Sequence, residues 1–187
     1  MEVWDLYNLN GEIIGEHIRG TELPEDGFHL VVHVWIKNSD GKYLMTQRSV
    51  NKSSFPLKWE CVGGSVLKGE NSIHAAVREV YEEVGISFPI EEGNLLFTKV
   101  RKTIDGKRYN DIVDVWLFQY DGQVQLDNAT TDEVAQVKWM SKEEIETLRQ
   151  EDVLVHSIKD LDYFFDEIVV MRIAALVKGH QVFIKTP

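Results

Sequence analysis

GSVLKGENSIHAAVREVYEEVGI, residues 64–86, is the stretch that decides the fold of this chain. Its apolar residues recur at three- and four-residue steps, which is the spacing of one buried face of an α-helix. Asn71 or Ser72 suits the N-cap of such a helix, and Gly85 suits a left-handed cap at its C-terminal end. The apolar positions are Ile73, Ala76, Val77, Val80 and Val84. The stretch therefore predicts an amphipathic helix over residues 72–84.

Three glutamates of this stretch, Glu79, Glu82 and Glu83, fall within one arc of the predicted helix, beside its apolar face. Like charges at three- and four-residue spacings destabilise a helix unless a cation lies between them. Mg²⁺ prefers oxygen ligands, and Mn²⁺ is the alternative ion for such a site. The cluster therefore predicts a metal site. Arg78 lies one turn before Glu82 and is expected to hold a carboxylate in one rotamer.

Two glycines, Gly63 and Gly64, follow the apolar, strand-like residues 59–62. Glycine lets the backbone approach a metal or ligand with no side chain in between. Gly64 is therefore a candidate substrate-binding residue. Glu70 lies outside the arc of the three glutamates, and we expect it to support the shape of the loop.

Together these residues resemble the Nudix box, in which Gly, Glu and Arg-Glu-x-x-Glu-Glu-x-Gly stand at fixed spacings. The matching positions are Gly64, Glu70, Arg78, Glu79, Val80, Glu82, Glu83, Gly85 and Ile86. The resemblance to the Nudix family implies an α/β fold, more fully an α/β/α sandwich around a mixed β-sheet. It also implies Mg²⁺-dependent hydrolysis of a small-molecule diphosphate by metal-activated water. In that interpretation Glu79, Glu82, Glu83 and Arg78 are catalytic, and the carbonyl of Gly63 is a further metal ligand.

Three residues outside the motif are candidates for the same site. Glu133, in TTDEVAQVKWM, precedes a late strand where many Nudix relatives carry a functional acid, and it is either such an acid or an exposed loop residue. Arg48 and Arg101 are candidate substrate-binding residues. Arg101 belongs to KVRKTIDGKR, residues 99–108, which carries five cations and one aspartate. This segment is either a positive rim for substrate phosphates or an ordinary solvated hairpin.

A second interpretation is an isomerase, because residues 27–70 also resemble isopentenyl diphosphate isomerase. The shared stretches are HLVVHVWIKN, the QRS of residues 47–49, and FPLKWECVGG. In those isomerases the catalytic cysteine belongs to a Cys-Gly-His or Cys-Cys-Ser-His element just after the tryptophan. Cys61 does not occupy that place, so hydrolysis is favoured. His29 and His33 lie on one face of a strand, where they form either a metal-binding pair or a packed pair. A third interpretation is a non-catalytic nucleotide-sensing module, but such modules commonly lose motif glutamates and none is lost here.

Length and composition predict one domain. The chain has 187 residues, 43% of them hydrophobic, which is enough for one substantial core and short for two. The net charge of −11 argues against a nucleic-acid polymer as partner. No membrane span or signal peptide is visible, and a single cysteine fits a reducing compartment, so we expect a cytoplasmic protein. The family resemblance also suggests a homodimer.

Alternation and turn signals predict a domain with a core over about residues 28–150, a β extension over residues 1–27 and a helical segment over residues 151–187. A capping box at Ser141 and Glu144 predicts a helix to about Gln150, and helical spacing predicts a terminal helix or helix pair over residues 157–178. Strands are predicted at residues 2–8, 28–37, 42–48, 58–62, 95–102, 109–120 and 134–140.

Overall fold

The computed structural model describes residues 2–104, 106–159 and 164–165. Within them the strands are β1 (Val3–Tyr7), β2 (Ile13–Ile18), β3 (His29–Lys37), β4 (Tyr43–Arg48), β5 (Trp59–Glu60), β6 (Val62–Ser65), β7 (Asn94–Ile104), β8 (Lys107–Gln119) and β9 (Val134–Met140). The helices are α1 (Ser72–Val84) and α2 (Lys142–Gln150). Three short 3-10 turns, Ile90–Glu92, Leu126–Asn128 and His156–Ile158, lie in the connections.

Seven of the strands form one mixed sheet. The hydrogen-bonded order is β5-β4-β3-β8-β7, with β6 paired to β3 and β9 paired to β4. β3 and β8 run parallel, whereas the remaining pairs in this sheet are antiparallel. The expected mixed β-sheet is therefore confirmed.

Alternation along the central strand sends side chains into two separate cores. Val32, Val34 and Ile36 of β3 pack with α1, while Trp35 packs with residues of α2 and the segment after it. Both faces of the sheet are thus covered, as in the expected α/β/α sandwich.

α1 has the boundaries that its sequence predicts. The side chain of Asn71 accepts a hydrogen bond from the backbone N–H of His74, and Gly85 ends the helix at φ +70°. Ala76, Val80 and Val84 on its apolar face are completely buried. The caps fix where the helix starts and stops, and the apolar face fixes which side meets the sheet.

The predicted strand over residues 58–62 is two strands in the structure. Trp59 and Glu60 pair with β4, after which the chain crosses to β3, where Val62 pairs with Val34. This crossing carries Gly63 and Gly64 along the central strand, directly before the loop that leads into α1.

Residues 2–18 form the expected N-terminal hairpin, β1 with β2, as a separate two-stranded sheet. It joins the domain through reciprocal backbone hydrogen bonds of 2.8 Å between Tyr7 and Phe28. Trp4 of the hairpin stacks on His29 at a ring-centroid distance of 4.6 Å.

The capping box predicted at the start of α2 is present, since Ser141 and Glu144 bond reciprocally. The helix predicted over residues 157–178 lies mostly outside the described residues; Ser157 and Ile158 belong to a 3-10 turn, and Phe164 and Phe165 are helical. Within the described ranges, no helix is long and apolar enough to cross a membrane.

Candidate active site

The three helix glutamates differ in how far they are buried. Glu83 is 5% exposed, and the side chains of Glu79 and Glu82 are 13% and 35% exposed. The difference follows from the helix geometry, because Glu83 neighbours the apolar face while Glu82 points toward solvent. All three line one cavity, so the predicted convergence of these side chains is observed.

Arg78 connects the carboxylates to the glycine loop. Its Nη1 donates to Glu79 at 2.8 Å and to Glu82 at 3.0 Å. Its Nε and Nη2 donate to the two carboxylate oxygens of Glu70 at 2.9 and 2.8 Å, and Nη2 also donates to the carbonyl of Ser65 at 3.0 Å. Glu70 in turn accepts from the backbone N–H of Leu67. Arg78 and Glu70 thus have the orienting positions that were expected of them.

Glu83 lacks the compensation that Arg78 gives its neighbours. Its Oε2 atom is buried and has no hydrogen-bond partner among the described residues. Burial raises the pKa of Glu83 well above its ordinary value, and the nearby carboxylates of Glu60 and Glu79 raise it further. A buried carboxylate without a donor needs either a proton or a cation.

The two glycines make room for this arrangement. A Cβ atom on Gly64 would stand 2.6 Å from Oε2 of Glu79 and closer still to Oε1. A Cβ on Gly63 would overlap the carbonyl oxygen of Val32. Burial raises the pKa of Glu79, while the charge and hydrogen bond of Arg78 act against this rise. Gly64 therefore lets Glu79 lie directly against the strand backbone.

Another part of the cavity wall carries two cations. Nη1 of Arg48 donates to Oε1 of Glu60 at 2.5 Å, and its Nε donates to the carbonyl of Ser54 at 2.9 Å. Lys52 forms an ion pair with Glu133. Arg48 and Glu133 therefore both line the cavity, while their roles in substrate binding and catalysis stay predictions.

Glu60 lies behind the cavity wall, where it holds Arg48, and the sequence analysis missed it. Burial raises its pKa against the opposing influence of Arg48, and its charge also acts on Glu83. The available signal was a charged residue within the apolar run WECV, because glutamate is rarely buried unless it is paired.

The cavity has a volume of about 360 Å³. Its charged lining comprises Glu2, Arg19, Arg48, Lys52, Arg78, Glu79, Glu82, Glu83 and Glu133. Five carboxylates thus face four cationic groups, so the lining alone does not favour a polyanion. A divalent cation would reverse that balance.

The residues present fit a hard divalent ion. The unpaired Oε2 of Glu83 lies beside further carboxylates, and oxygen donors are the ligands that Mg²⁺ and Mn²⁺ prefer. In the described ranges no three Asp, Glu, His or Cys side chains already form a complete ligand set. Two of the glutamates are instead turned toward Arg78.

Arg101 lies elsewhere, which corrects its prediction as a substrate-binding residue of this site. Its guanidinium donates to both carboxylate oxygens of Asp111, at 2.8 and 2.6 Å, and to the carbonyl of Ser157 at 2.7 Å. Asp111 is its direct cross-strand partner, and both side chains are buried. Arg101 lines a different cavity, of about 610 Å³, next to His156.

The packed interpretation of His29 and His33 fits the structure better than a metal-binding pair. His29 stacks on Trp4, and burial lowers its pKa. Burial, together with the charges of Arg101 and Lys99, lowers the pKa of His33 to about 3. Cys61 is 2% exposed within the core on the α2 side of the sheet.

Comparisons with protein-family models and with known proteins point to the same family. The NUDIX domain family model matches residues 27–160. The uncharacterized Nudix hydrolase lmo0368 of Listeria monocytogenes is 38% identical over 167 residues, covering 88% of this chain and 91% of that protein. Isopentenyl-diphosphate Delta-isomerase I of Arabidopsis thaliana is 32% identical over 169 residues, covering 76% of this chain and 55% of that protein.

The fold also matches a solved structure. DR0079 from Deinococcus radiodurans aligns with a TM-score of 0.70 at 22% identity, covering 86% of this chain and 96% of that one. Gly64, Arg78 and the three helix glutamates of the box line one cavity, and together with these matches they lead to one assignment. The chain belongs to the NUDIX family as a Nudix hydrolase, an enzyme of the class that cleaves phosphorus-containing anhydrides.

Proposed function

We propose that this chain is a Mg²⁺-dependent pyrophosphohydrolase that cleaves the diphosphate linkage of a nucleoside diphosphate derivative or another organic diphosphate. The observation that carries the proposal is the buried, unpaired carboxylate of Glu83, in a cavity shared with Glu79 and Glu82. This arrangement destabilises the empty site and favours a cation.

Glu79, Glu82, Glu83 and the carbonyl of Gly63 are the groups that would hold the metal. When bound, Mg²⁺ or Mn²⁺ would neutralise charge on the substrate phosphates and would lower the pKa of a bound water. Arg78 keeps Glu79 and Glu82 in fixed rotamers through its shared Nη1 donor.

Arg48 and Lys52 supply donors for the substrate phosphates. Arg48 is held by Glu60 and Ser54, so its guanidinium keeps one orientation at the cavity wall. In the hydrolytic step a water oxygen attacks phosphorus, the bridging P–O bond breaks, and the leaving phosphate keeps the bonding electrons. Glu133 or one of the helix glutamates accepts the proton of the water.

Isomerisation is disfavoured by the position of Cys61. An isomerase cysteine must reach the reacting carbon, whereas this thiol is buried in the core on the α2 side of the sheet. Burial also raises the pKa of the Cys61 thiol well above its ordinary value. The intact set of box glutamates likewise favours catalysis over a sensing module.

A substrate panel tests the proposal. Wild-type protein is incubated with Mg²⁺ and nucleoside triphosphates, nucleotide sugars, dinucleotides and prenyl diphosphates, and phosphate-containing products are separated by chromatography. Glu82→Gln and Glu83→Gln should each lower turnover of the best substrate by at least about 100-fold, since each variant removes a proposed ligand of the metal that stabilises charge at the reacting phosphate. Circular dichroism checks that both variants remain folded.

Glu91→Gln is the matched control, because Glu91 is exposed and lies outside the cavity. It should retain wild-type turnover. If Glu82→Gln and Glu83→Gln both hydrolyse the substrate at the wild-type rate, the assigned site is wrong. Conversion of isopentenyl diphosphate to dimethylallyl diphosphate without phosphate release would instead establish the isomerase.

A further inference from the structure

The N-terminal hairpin forms part of the wall of the carboxylate cavity. Glu2, directly before β1, and Arg19, directly after β2, line the cavity together with Ser65 and Leu67 of the glycine loop. The family motif does not include this hairpin, and its sequence gave no functional signal. Its place in the fold nevertheless brings one additional cation to the site.

Several contacts fix the hairpin to the loop that shapes the site. The backbone N–H of Lys68 donates to the carbonyl of Val3 at 2.8 Å, and that of Gly69 donates to the carboxylate of Asp5 at 2.7 Å. Lys68 also forms an ion pair with Glu16 of β2. Because Asp5 is 9% exposed, its bond to the loop is shielded from water. The hairpin thus has a defined position relative to the helix glutamates.

Arg19 has donors to offer at this wall. Its backbone N–H donates to the carbonyl of Glu2 at 3.0 Å, and its Nη1 donates to the carboxylate of Glu2 at 2.7 Å. The side chains are 53% and 45% exposed, so the ion pair is open to solvent and readily exchanged. A guanidinium carries five N–H donors, and its planar fork matches phosphate oxygens.

The other cations of the cavity come from a different part of the chain. Arg48 ends β4 and Lys52 follows it, and they are bonded to Glu60 and Glu133 respectively. A diphosphate carries anionic oxygens on two phosphorus atoms. Donors at separate places on the wall can therefore hold both ends of the group, which one cationic cluster cannot do as well.

We infer that Arg19 binds a phosphoryl oxygen of the substrate and that the N-terminal hairpin is part of the diphosphate-binding site. The inference rests on the proposed function, since it concerns the same substrate. In this inference Arg19 contributes to substrate affinity and therefore to KM. The helix glutamates carry out the chemical step.

Binding of methylenediphosphonate, a diphosphate analogue that resists hydrolysis, tests the inference without turnover. Isothermal titration in the presence of Mg²⁺ compares wild type, Arg19→Ala and Glu2→Gln. Arg19→Ala should weaken binding by about tenfold or more, as expected for a lost charge-assisted hydrogen bond. With the panel substrate, the same variant should raise KM by a similar factor and change kcat by less than about twofold.

Glu2→Gln separates substrate contact from a structural role of the ion pair. Both variants break the pair with Glu2, but Glu2→Gln keeps the guanidinium and removes a competing negative charge, so it should tighten binding. Lys138→Ala is the matched control, since Lys138 pairs with Glu144 at 55% and 43% exposure and lies outside the cavity. It should leave binding unchanged.

The outcomes distinguish the inference from the proposed function. If wild type binds the diphosphonate and Arg19→Ala binds it equally well, the inference about the hairpin fails alone. If Glu2→Gln weakens binding as much as Arg19→Ala, the ion pair has a structural role and the inference also fails. If wild type does not bind the diphosphonate with Mg²⁺, the diphosphate site itself is wrong, and the inference falls with it.

Discussion

Gly64→Ala should remove catalysis while leaving most of the fold intact. The added Cβ would stand 2.6 Å from Oε2 of Glu79 and closer to Oε1, so the two cannot keep their positions. Gly64 is not among the residues with positive φ, and alanine therefore introduces no backbone strain there. The clash involves the end of a flexible side chain, which can move.

The magnitude follows from that movement. Ordinary contacts between non-bonded heavy atoms are about 3.5 Å, so the carboxylate of Glu79 must shift by about 1 Å or more. A misplacement of this size at a catalytic group lowers the rate by about 100-fold. The loss of the hydrogen bond from Arg78 to Glu79 lowers the free energy of unfolding by about 1.5–3 kcal/mol. Alanine offsets about 0.4–1 kcal/mol of this loss, because it gives the unfolded chain fewer backbone conformations than glycine does. A net loss of about 0.5–2.6 kcal/mol is expected.

The assay combines Mn²⁺ binding by electron paramagnetic resonance, turnover of the panel substrate and urea denaturation. Gly63→Ala is the contrasting variant, because its Cβ would strike the backbone carbonyl of Val32, which cannot move away. It should lower stability more than Gly64→Ala. In a double-mutant cycle, Gly64→Ala should cost little further activity in a Glu79→Ala background, because the clashing carboxylate is absent.

Two results would refute this reasoning about Gly64. The first is a Gly64→Ala variant with wild-type turnover and Mn²⁺ affinity. The second is equal loss of activity from Gly64→Ala with and without Glu79, since the effect would then not pass through that carboxylate.

Two further predictions concern buried titratable groups. In metal-free buffer at pH 8, Glu83→Gln should raise the free energy of unfolding by about 1–3 kcal/mol, because it removes a carboxyl group whose ionisation is opposed by burial and by the charges of Glu60 and Glu79. Urea denaturation with EDTA measures this, and a loss of stability would contradict it. Since burial lowers the pKa of His33 to about 3, the unfolded chain binds the proton first, and wild type should lose stability as the pH falls from 6.5 toward 3. His33→Gln should lose less between pH 7 and pH 4.5 in the same assay, and parallel losses in both proteins would show that His33 does not contribute.

The features that could be predicted from the sequence are those set by short-range pattern. α1 begins and ends at the expected residues because Asn71 and Gly85 act within one turn of its ends. The convergence of Glu79, Glu82 and Glu83 needs only the period of the helix. Each of these inferences depends on neighbours in the chain.

The features that were missed depend on pairing between distant residues. Arg101 lies in a strongly basic segment, but the β7–β8 register places Asp111 opposite it and removes it from the site. Glu60 acts on the pKa of Glu83 because the chain crosses from β4 to β3 after it. The position of Arg19 in the cavity wall likewise depends on docking of the hairpin against residues 68 and 69. No local pattern records these contacts.

Arg78 explains why α1 tolerates its glutamates in the absence of a metal, and also why that tolerance is incomplete. One guanidinium bridges Glu70, Glu79 and Glu82, so most of the repulsion on the exposed side of the helix is compensated within the protein. Glu83 faces the opposite situation, since after burial the largest influences on its pKa are the carboxylates of Glu60 and Glu79, which raise it. A second internal arginine could satisfy Glu83 and would stabilise the empty fold, but it would occupy the place of a cation. Under the proposed function, the unpaired oxygen of Glu83 is left for a cation from solution, so the stability of the metal-free protein and catalysis make opposite demands on this residue.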